Sequence, residues 1–277
     1  GTPARIVVPE GAPAVKVAAV RAAGAELTFC APTMEGREAA CARIVRETGS
    51  TLVPPYNSGV VVAGQGTMAL ELFEQVAEMQ QQEEAHATPT TIGPSRPHHK
   101  QPSAANPAPL DAGKVLDAIV VPISGGGMTS GIAIATKALH PSTLIVAAEP
   151  VGANGVADVH ACKAANELLT NLDKTQTIAD GLQARLGDQT WPVVRDLVDE
   201  VVTVTEQEIR QAMRAVYEQL KVAVEPSGAV GLAAVMARGW GSCPRLAGCR
   251  RVGVILCGGN VDVARLPEFM EGTRTTY

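Results

Sequence analysis

Residues 121–133 read VPISGGGMTSGIA, with three consecutive glycines between an apolar run and a run of small residues. Glycine loses more backbone freedom on folding than any other residue, so three in a row weaken local order unless the chain passes where a side chain cannot fit. The flanking runs predict a strand and a helix. Such a strand, turn and helix N-terminus form an anion cradle, because N–H groups converge and the helix dipole adds positive charge. The stretch predicts phosphate binding in an α/β protein, with an ordinary tight turn as the alternative.

Two familiar phosphate motifs are missing from this stretch. The pattern GxxxxGK[ST] does not occur in the chain. The dinucleotide pattern GxGxxG fails because Ser130 stands where its last glycine would be. The turn therefore predicts an anion site without identifying the ligand.

Strands and helices alternate on both sides of the glycine turn. Apolar runs at 4–8, 25–30 and 144–148 predict strands, and the segments that separate such runs have helical patterns. This alternation is typical of βαβ units and a parallel sheet. We therefore expect an α/β fold with two open, mainly parallel domains, a small one over residues 1–62 and a large one over 63–277. Because the first strand begins almost at the start of the chain, we expect the small domain to be incomplete.

Composition changes abruptly between residues 80 and 112. This segment carries three consecutive glutamines, two adjacent histidines and many prolines, and it has no apolar periodicity. A segment of this kind buries too little apolar surface to offset its ordering entropy. We therefore expect a disordered insertion in the large domain.

Charge and composition exclude several classes of protein. The formal net charge is −5 and the basic residues are scattered, so a general nucleic-acid surface is not expected. The longest apolar runs have the length of strands, so no membrane association is expected either. The six cysteines form no CxxC pair, which favours reduced thiols in the cytoplasm or an organelle stroma.

Several motifs occur in an order that indicates a known family. The chain contains VAGQGTMALE, VPISGGGM, AAEP, TIADGL, VEPSGAVGLAA and ILCGGNVD in that order. It resembles the fold-type II pyridoxal-phosphate enzymes, which share the fold of the tryptophan synthase β subunit, and within them the serine racemase and threonine/serine dehydratase family. The resemblance implies pyridoxal phosphate as cofactor, serine or threonine as substrate, and a homodimer.

The resemblance assigns roles to two cofactor-binding segments. Cys257 corresponds to the Ser or Cys that the family places against the pyridine nitrogen of the cofactor, where a neutral partner leaves that nitrogen largely unprotonated. A buried structural cysteine is the alternative. The expected cup for the cofactor phosphate consists of Ser124, Gly125, Gly126, Gly127 and Met128.

The catalytic groups of the family have no counterpart in this sequence. Racemisation needs a lysine that forms a Schiff base with the cofactor and a second proton carrier on the opposite face. The family carries these groups in S-x-K-x-R and S-S-G-N-H segments that precede the strand at 4–8, and neither segment occurs here. We therefore expect the complete protein to be a serine racemase with serine dehydratase activity and this chain alone to be inactive. Threonine/serine ammonia-lyase and a catalytically dead pseudoenzyme are the alternatives.

The resemblance also implies two effector sites, for Mg²⁺ or Mn²⁺ and for ATP. Glu149 and the Ala153 carbonyl match the family's cation ligands, but Gly155 replaces the expected aspartate. The loss of a carboxylate weakens a site for a hard cation. Lys221 and Asn260 match two nucleotide contacts of the family, and an ordinary surface lysine is the alternative for Lys221.

Overall fold

The computed structural model describes residues 2–86, 115–237, 240–241 and 243–273. The strands are β1 (Arg5–Pro9), β2 (Glu26–Cys30), β3 (Ala118–Pro122), β4 (Leu144–Pro150), β5 (Glu200–Val204) and β6 (Val252–Val254). The α-helices are α1 (Ala14–Ala22), α2 (Met34–Thr48), α3 (Gly59–His86), α4 (Gly127–Leu139), α5 (Asp158–Ala165), α6 (Trp191–Leu197), α7 (Glu206–Ala215), α8 (Pro226–Met236) and α9 (Leu266–Met270). None of the described helices is both long and apolar enough to cross a membrane.

The strands form two separate parallel sheets, which confirms the predicted α/β class. β1 and β2 form a two-stranded sheet, and the other strands form a four-stranded sheet in the order β5-β4-β3-β6. All the pairs are parallel. The domain boundary predicted after residue 62 falls within the first turns of α3, which packs closely on α4. We define the small unit as β1, α1, β2 and α2, and the large unit as the remainder from α3 onward.

The four-stranded sheet is buried on both faces, as parallel sheets usually are. Side chains of β3 alternate between the two faces, so Val120 enters one apolar cluster with α7 and α8, while Ile119 and Val121 enter another with α3, α4 and α6. Every residue of β3 is buried. The glycine turn therefore follows a strand that is fixed by packing from both sides.

Two glycines allow α3 and α4 to cross closely. A Cβ atom on Gly131 would lie 2.3 Å from the Val62 carbonyl oxygen and 2.5 Å from the Gly66 nitrogen. A Cβ atom on Gly66 would in turn lie 2.9 Å from the Gly131 carbonyl oxygen. Only hydrogen fits at this crossing, so α4 and the turn before it are held against α3.

The structure corrects the predicted start of the insertion. α3 continues to His86, six residues past the Gln80 at which disorder was expected. Gln, Glu and Ala, which dominate this end, are good helix formers, and the helix extends although none of residues 74–83 is buried. The rest of the predicted insertion, residues 87–112, lies outside the described residues.

Candidate active site

A cavity of about 700 Å³ opens at the carboxyl ends of β3 and β6. In the sheet, β4, the next strand in sequence, pairs with one side of β3, and β6 pairs with the other side of β3. The order of the strands thus reverses between β3 and β6, and such switch points are where open α/β sheets bind ligands. The glycine turn leaves β3 and Cys257 follows β6, and both line this main cavity. The structure therefore brings the two predicted cofactor segments together.

The glycine turn needs glycine for two separate reasons. Gly126 has φ +87°, a left-handed conformation that side chains disfavour. A Cβ atom on Gly125 would lie 2.5 Å from the Tyr56 ring, and one on Gly127 would lie 2.8 Å from the Tyr56 Cβ. Gly127 begins α4, so the first N–H groups of this helix have no partner within it. The turn is a cradle of backbone donors beside the cavity, which fits a phosphate group.

Two residues that the sequence did not single out support this cradle. Tyr56 packs against Gly125 and Gly127 and lines the main cavity. Thr190 is fully buried, and its hydroxyl donates a 2.7 Å hydrogen bond to the Gly125 carbonyl and accepts one of 3.0 Å from the Gly187 N–H. Neither residue has a local pattern that marks it, because its role arises from contacts across more than 60 positions.

Cys257 lies half-buried in the wall of the main cavity. Burial and then the nearby charge of Glu225 raise the pKa of its thiol. The group is therefore uncharged at neutral pH. A Cβ atom on Gly228 would lie 1.8 Å from the Cys257 carbonyl oxygen, so the start of α8 fixes the backbone at this position.

Lys174 is the lysine that lines the main cavity among the described residues, and its side chain is exposed. Lys137, further along α4, instead forms an ion pair with Asp199 at 2.7 Å. Lys16 belongs to α1 and forms ion pairs with Asp180 and with Glu225. Lys100 and Lys114 lie outside the described residues.

The residues predicted to hold a cation do not form a complete site. Both oxygens of Glu149 accept 2.8 Å hydrogen bonds from backbone N–H groups of Val159 and His160 at the start of α5. Burial and then the charge of Asp158 raise the pKa of Glu149 to about 8. Gly155 occupies a turn with φ +74° and offers no side chain. Within the described ranges no three His, Cys, Asp or Glu side chains are grouped to hold a metal. The geometry gives the predicted cation site no support.

Of the two predicted nucleotide contacts, Asn260 lines a second cavity and Lys221 does not. This second cavity, hereafter the side cavity, has a volume of about 380 Å³ and is also lined by Ala153 and Lys16. Lys221 has φ +58°, and its ammonium group donates to the Glu218 carbonyl, which makes it part of the turn that ends the π-type segment after α7.

Comparison with known proteins identifies the family. A model of the family "Pyridoxal-phosphate dependent enzyme" matches residues 1–93 and 78–258. The chain is 46% identical over 274 residues to the serine racemase of Arabidopsis thaliana, a match that covers 99% of this chain and 70% of that protein. The structure of maize serine racemase has a TM-score of 0.78 at 43% identity, covering 98% of this chain and 70% of that one. The structure of a T.th. threonine deaminase has a TM-score of 0.73 at 32% identity, covering 95% and 71%. This chain therefore belongs to the family of pyridoxal-phosphate dependent enzymes.

Proposed function

We propose that the chain is the cofactor-holding part of a serine racemase that also dehydrates serine to pyruvate and ammonia. The observation that carries the proposal is the meeting of the glycine turn and Cys257 in one cavity, in a chain 46% identical to a plant serine racemase. The amino-acid substrate is proposed from the relatives, and the residues at the cavity are consistent with it.

The cradle of Ser124, Gly125, Gly126, Gly127 and Met128 would hold the phosphate of the cofactor. A phosphate dianion suits the N–H groups and the dipole at the start of α4. The hydrogen bond from the Thr190 hydroxyl to the Gly125 carbonyl holds this peptide in place. When bound, pyridoxal phosphate supplies an electron sink that makes the α-proton of an amino acid acidic.

Cys257 would be the neighbour of the pyridine nitrogen. Because burial raises the pKa of its thiol, the side chain is neutral at physiological pH. A neutral partner does not protonate the ring nitrogen, which moderates the electron sink. A moderated electron sink suits an enzyme that racemises its substrate, by returning a proton to the α-carbon, as well as dehydrating it.

Two cations among the described residues line the main cavity and would orient the carboxylate of the substrate. Arg37 from α2 is half-buried, and Lys174 lies at an exposed position. A guanidinium group binds a carboxylate through two parallel hydrogen bonds, which fixes orientation as well as position. Arg37 belongs to the small unit, so both units would contribute to substrate binding.

The groups that move the α-proton are not among residues 1–277. None of the chain's seven lysines stands in an S-x-K-x-R segment, and no S-S-G-N-H segment occurs. We assign racemisation to a polypeptide that carries both segments together with these residues. Residues 1–277 alone are expected to bind the cofactor weakly and to be inactive.

Threonine/serine ammonia-lyase is the second candidate. It is favoured by the likeness to threonine deaminase at 32% identity. The two activities share the cofactor and the cavity, so they differ in whether a proton carrier stands on the second face of the substrate.

Further parts of the proposal rest on the resemblance alone. They are a homodimer and regulation by Mg²⁺ or Mn²⁺ and by ATP, whereas a location in the cytoplasm or an organelle stroma is proposed from the six cysteines, which form no CxxC pair. Asn260 would be the nucleotide contact best placed for a ligand, because it lines the side cavity.

The test is an assay with pyridoxal phosphate and L-serine, in which D-serine and pyruvate are measured by chiral chromatography and by a coupled dehydrogenase. One arm uses residues 1–277 and the other uses the product of the whole reading frame that encodes them. We expect D-serine only in the second arm. Pyruvate or 2-oxobutyrate without D-serine would favour the ammonia-lyase, and no product in either arm would favour a pseudoenzyme.

A further inference from the structure

Lys16 connects the small unit to the wall of the main cavity. Its ammonium group lies 2.8 Å and 2.9 Å from the two carboxylate oxygens of Asp180 and 3.1 Å from Glu225 Oε2. The three side chains are partly to largely buried, with Glu225 only 11% exposed. Burial by itself would lower the pKa of Lys16, but its contacts with the two carboxylates outweigh this effect and raise the pKa. Lys16 is therefore a charged partner of two carboxylates.

Glu225 is also the acidic neighbour of Cys257. Its backbone N–H donates a 3.0 Å hydrogen bond to the Gly258 carbonyl. A Cβ atom on Gly258 would lie 2.3 Å from Glu225 Oε1, so the carboxylate rests directly on the residue after Cys257. The charge of Glu225 raises the pKa of the Cys257 thiol, second only to burial. The Glu225 carboxylate therefore contacts the residue next to Cys257 and acts electrostatically on the Cys257 thiol.

The carboxylates that Lys16 contacts form a partition between two cavities. Asp180 and Glu225 line both the main cavity and the side cavity, and so does Pro13 at the start of α1. Lys16 itself lines the side cavity only. The other charged side chains of the side cavity are Glu206, Asp262 and Arg265.

We propose that Lys16 is a positioning residue that neutralises Glu225 and thereby keeps the Cys257 end of the main cavity free of an unpaired negative charge. The meaning of this for catalysis rests on the proposed function, in which Cys257 faces the ring nitrogen. A bare carboxylate beside that nitrogen would draw a proton to it, whereas an ion pair exerts a much weaker field. The lysine comes from the small unit, so the small unit sets the charge at a site built by the large unit.

The test measures the reactivity of Cys257 in protein without cofactor. Iodoacetamide labelling is followed from pH 6 to pH 10, and each cysteine is resolved by peptide mass spectrometry. We call the labelling rate of Cys257 plotted against pH the Cys257 profile. In Lys16→Met the unpaired charge of Glu225 disfavours the thiolate, so this profile moves to higher pH. Since the thiolate is the reacting form, the rate at pH 8 falls by about threefold to tenfold. Glu225→Gln moves the profile to lower pH, and Lys16→Arg leaves it close to that of the parent.

Two further variants separate this effect from loosening of the small unit. Lys174→Met removes an equal charge from the main cavity, which Cys257 also lines, and leaves the profile nearly unchanged. The double variant Lys16→Met/Glu225→Gln loses the upward displacement, because the carboxylate is gone. An unchanged profile in Lys16→Met would overturn the proposal. A rate that rises by the same factor at every pH would also overturn it, since that result reports exposure rather than charge.

The result does not depend on the proposed function, because no cofactor is present. If Lys16→Met moves the profile but pyridoxal phosphate does not bind, the electrostatic link stands and the cofactor assignment fails. If the cofactor binds at the glycine turn and the profile does not move, the cofactor assignment stands and the electrostatic link fails.

Discussion

The two sheets of this molecule have the same local pattern but very different surroundings. β3 and β4 are buried along nearly their whole length, with helices on both faces. In β1 and β2 one residue each is buried, Val8 and Cys30, and α1 has no buried residue. Parallel strand pairing is present in both sheets, so pairing alone does not make a core. The core comes from the helices that cover the sheet.

This difference divides the work at the main cavity. The large unit supplies the backbone cradle, which must keep its shape and is fixed between two apolar clusters. The small unit supplies long side chains, Arg37 in the cavity wall and Lys16 on the partition. Elements with few buried contacts open more easily than core strands do. We expect the small unit to adjust to a ligand while the cradle remains fixed.

The largest effect is expected from matched truncations in the two sheets. Ile145→Ala removes a fully buried side chain from β4, and the free energy of unfolding falls by about 3 kcal/mol. Ile6→Ala removes the same atoms from β1, where the residue is 38% exposed, and the loss stays below about 1 kcal/mol. Urea denaturation followed by circular dichroism measures both. Equal losses would mean that the two sheets are equally well packed.

A smaller effect is expected from removing one buried hydroxyl group at the cradle and one elsewhere in the core. Thr190→Val removes the hydroxyl that holds the Gly125 peptide, which lowers stability by about 1–3 kcal/mol and weakens pyridoxal-phosphate binding. Thr143→Val removes a buried hydroxyl of similar geometry, 2.8 Å from the Leu116 carbonyl, away from the main cavity. We expect similar destabilisation without a change in binding. Calorimetric titration of both variants checks this, and equal weakening of binding would refute the role of Thr190.

The smallest effect is a difference in local opening. Backbone amides of β1 and β2 should exchange with deuterium at least about tenfold faster than those of β3 and β4, because the small unit can open without unfolding the core. Native-state hydrogen exchange read by mass spectrometry resolves these segments. Comparable protection would show that the two units open together.

The sequence predicted the parts of the site that depend on local pattern. The glycine turn, the strand before it and the helix after it were predictable, because they follow from a few adjacent residues. The support of the turn by Tyr56 and Thr190 was not predictable from the sequence, because it depends on contacts between distant segments. The extension of α3 to His86 was missed because polar helix formers resemble a disordered segment in composition. The replacement of the expected aspartate by Gly155 already indicated a weakened cation site, and the structure adds that both oxygens of Glu149 accept hydrogen bonds from the start of α5.

The central claim is that the glycine turn binds the phosphate of the cofactor. The most direct test compares the affinities of residues 1–277 for pyridoxal phosphate and for pyridoxal, which lacks the phosphate, by equilibrium dialysis. Gly126→Val is the test variant, and Gly24→Val is its control, since Gly24 also has positive φ but lies in the small unit with open space around it. We predict that pyridoxal phosphate binds at least about tenfold more tightly than pyridoxal, and that only Gly126→Val abolishes the difference. Equal affinity for the two compounds, or an unchanged preference in a folded Gly126→Val protein, would contradict the claim.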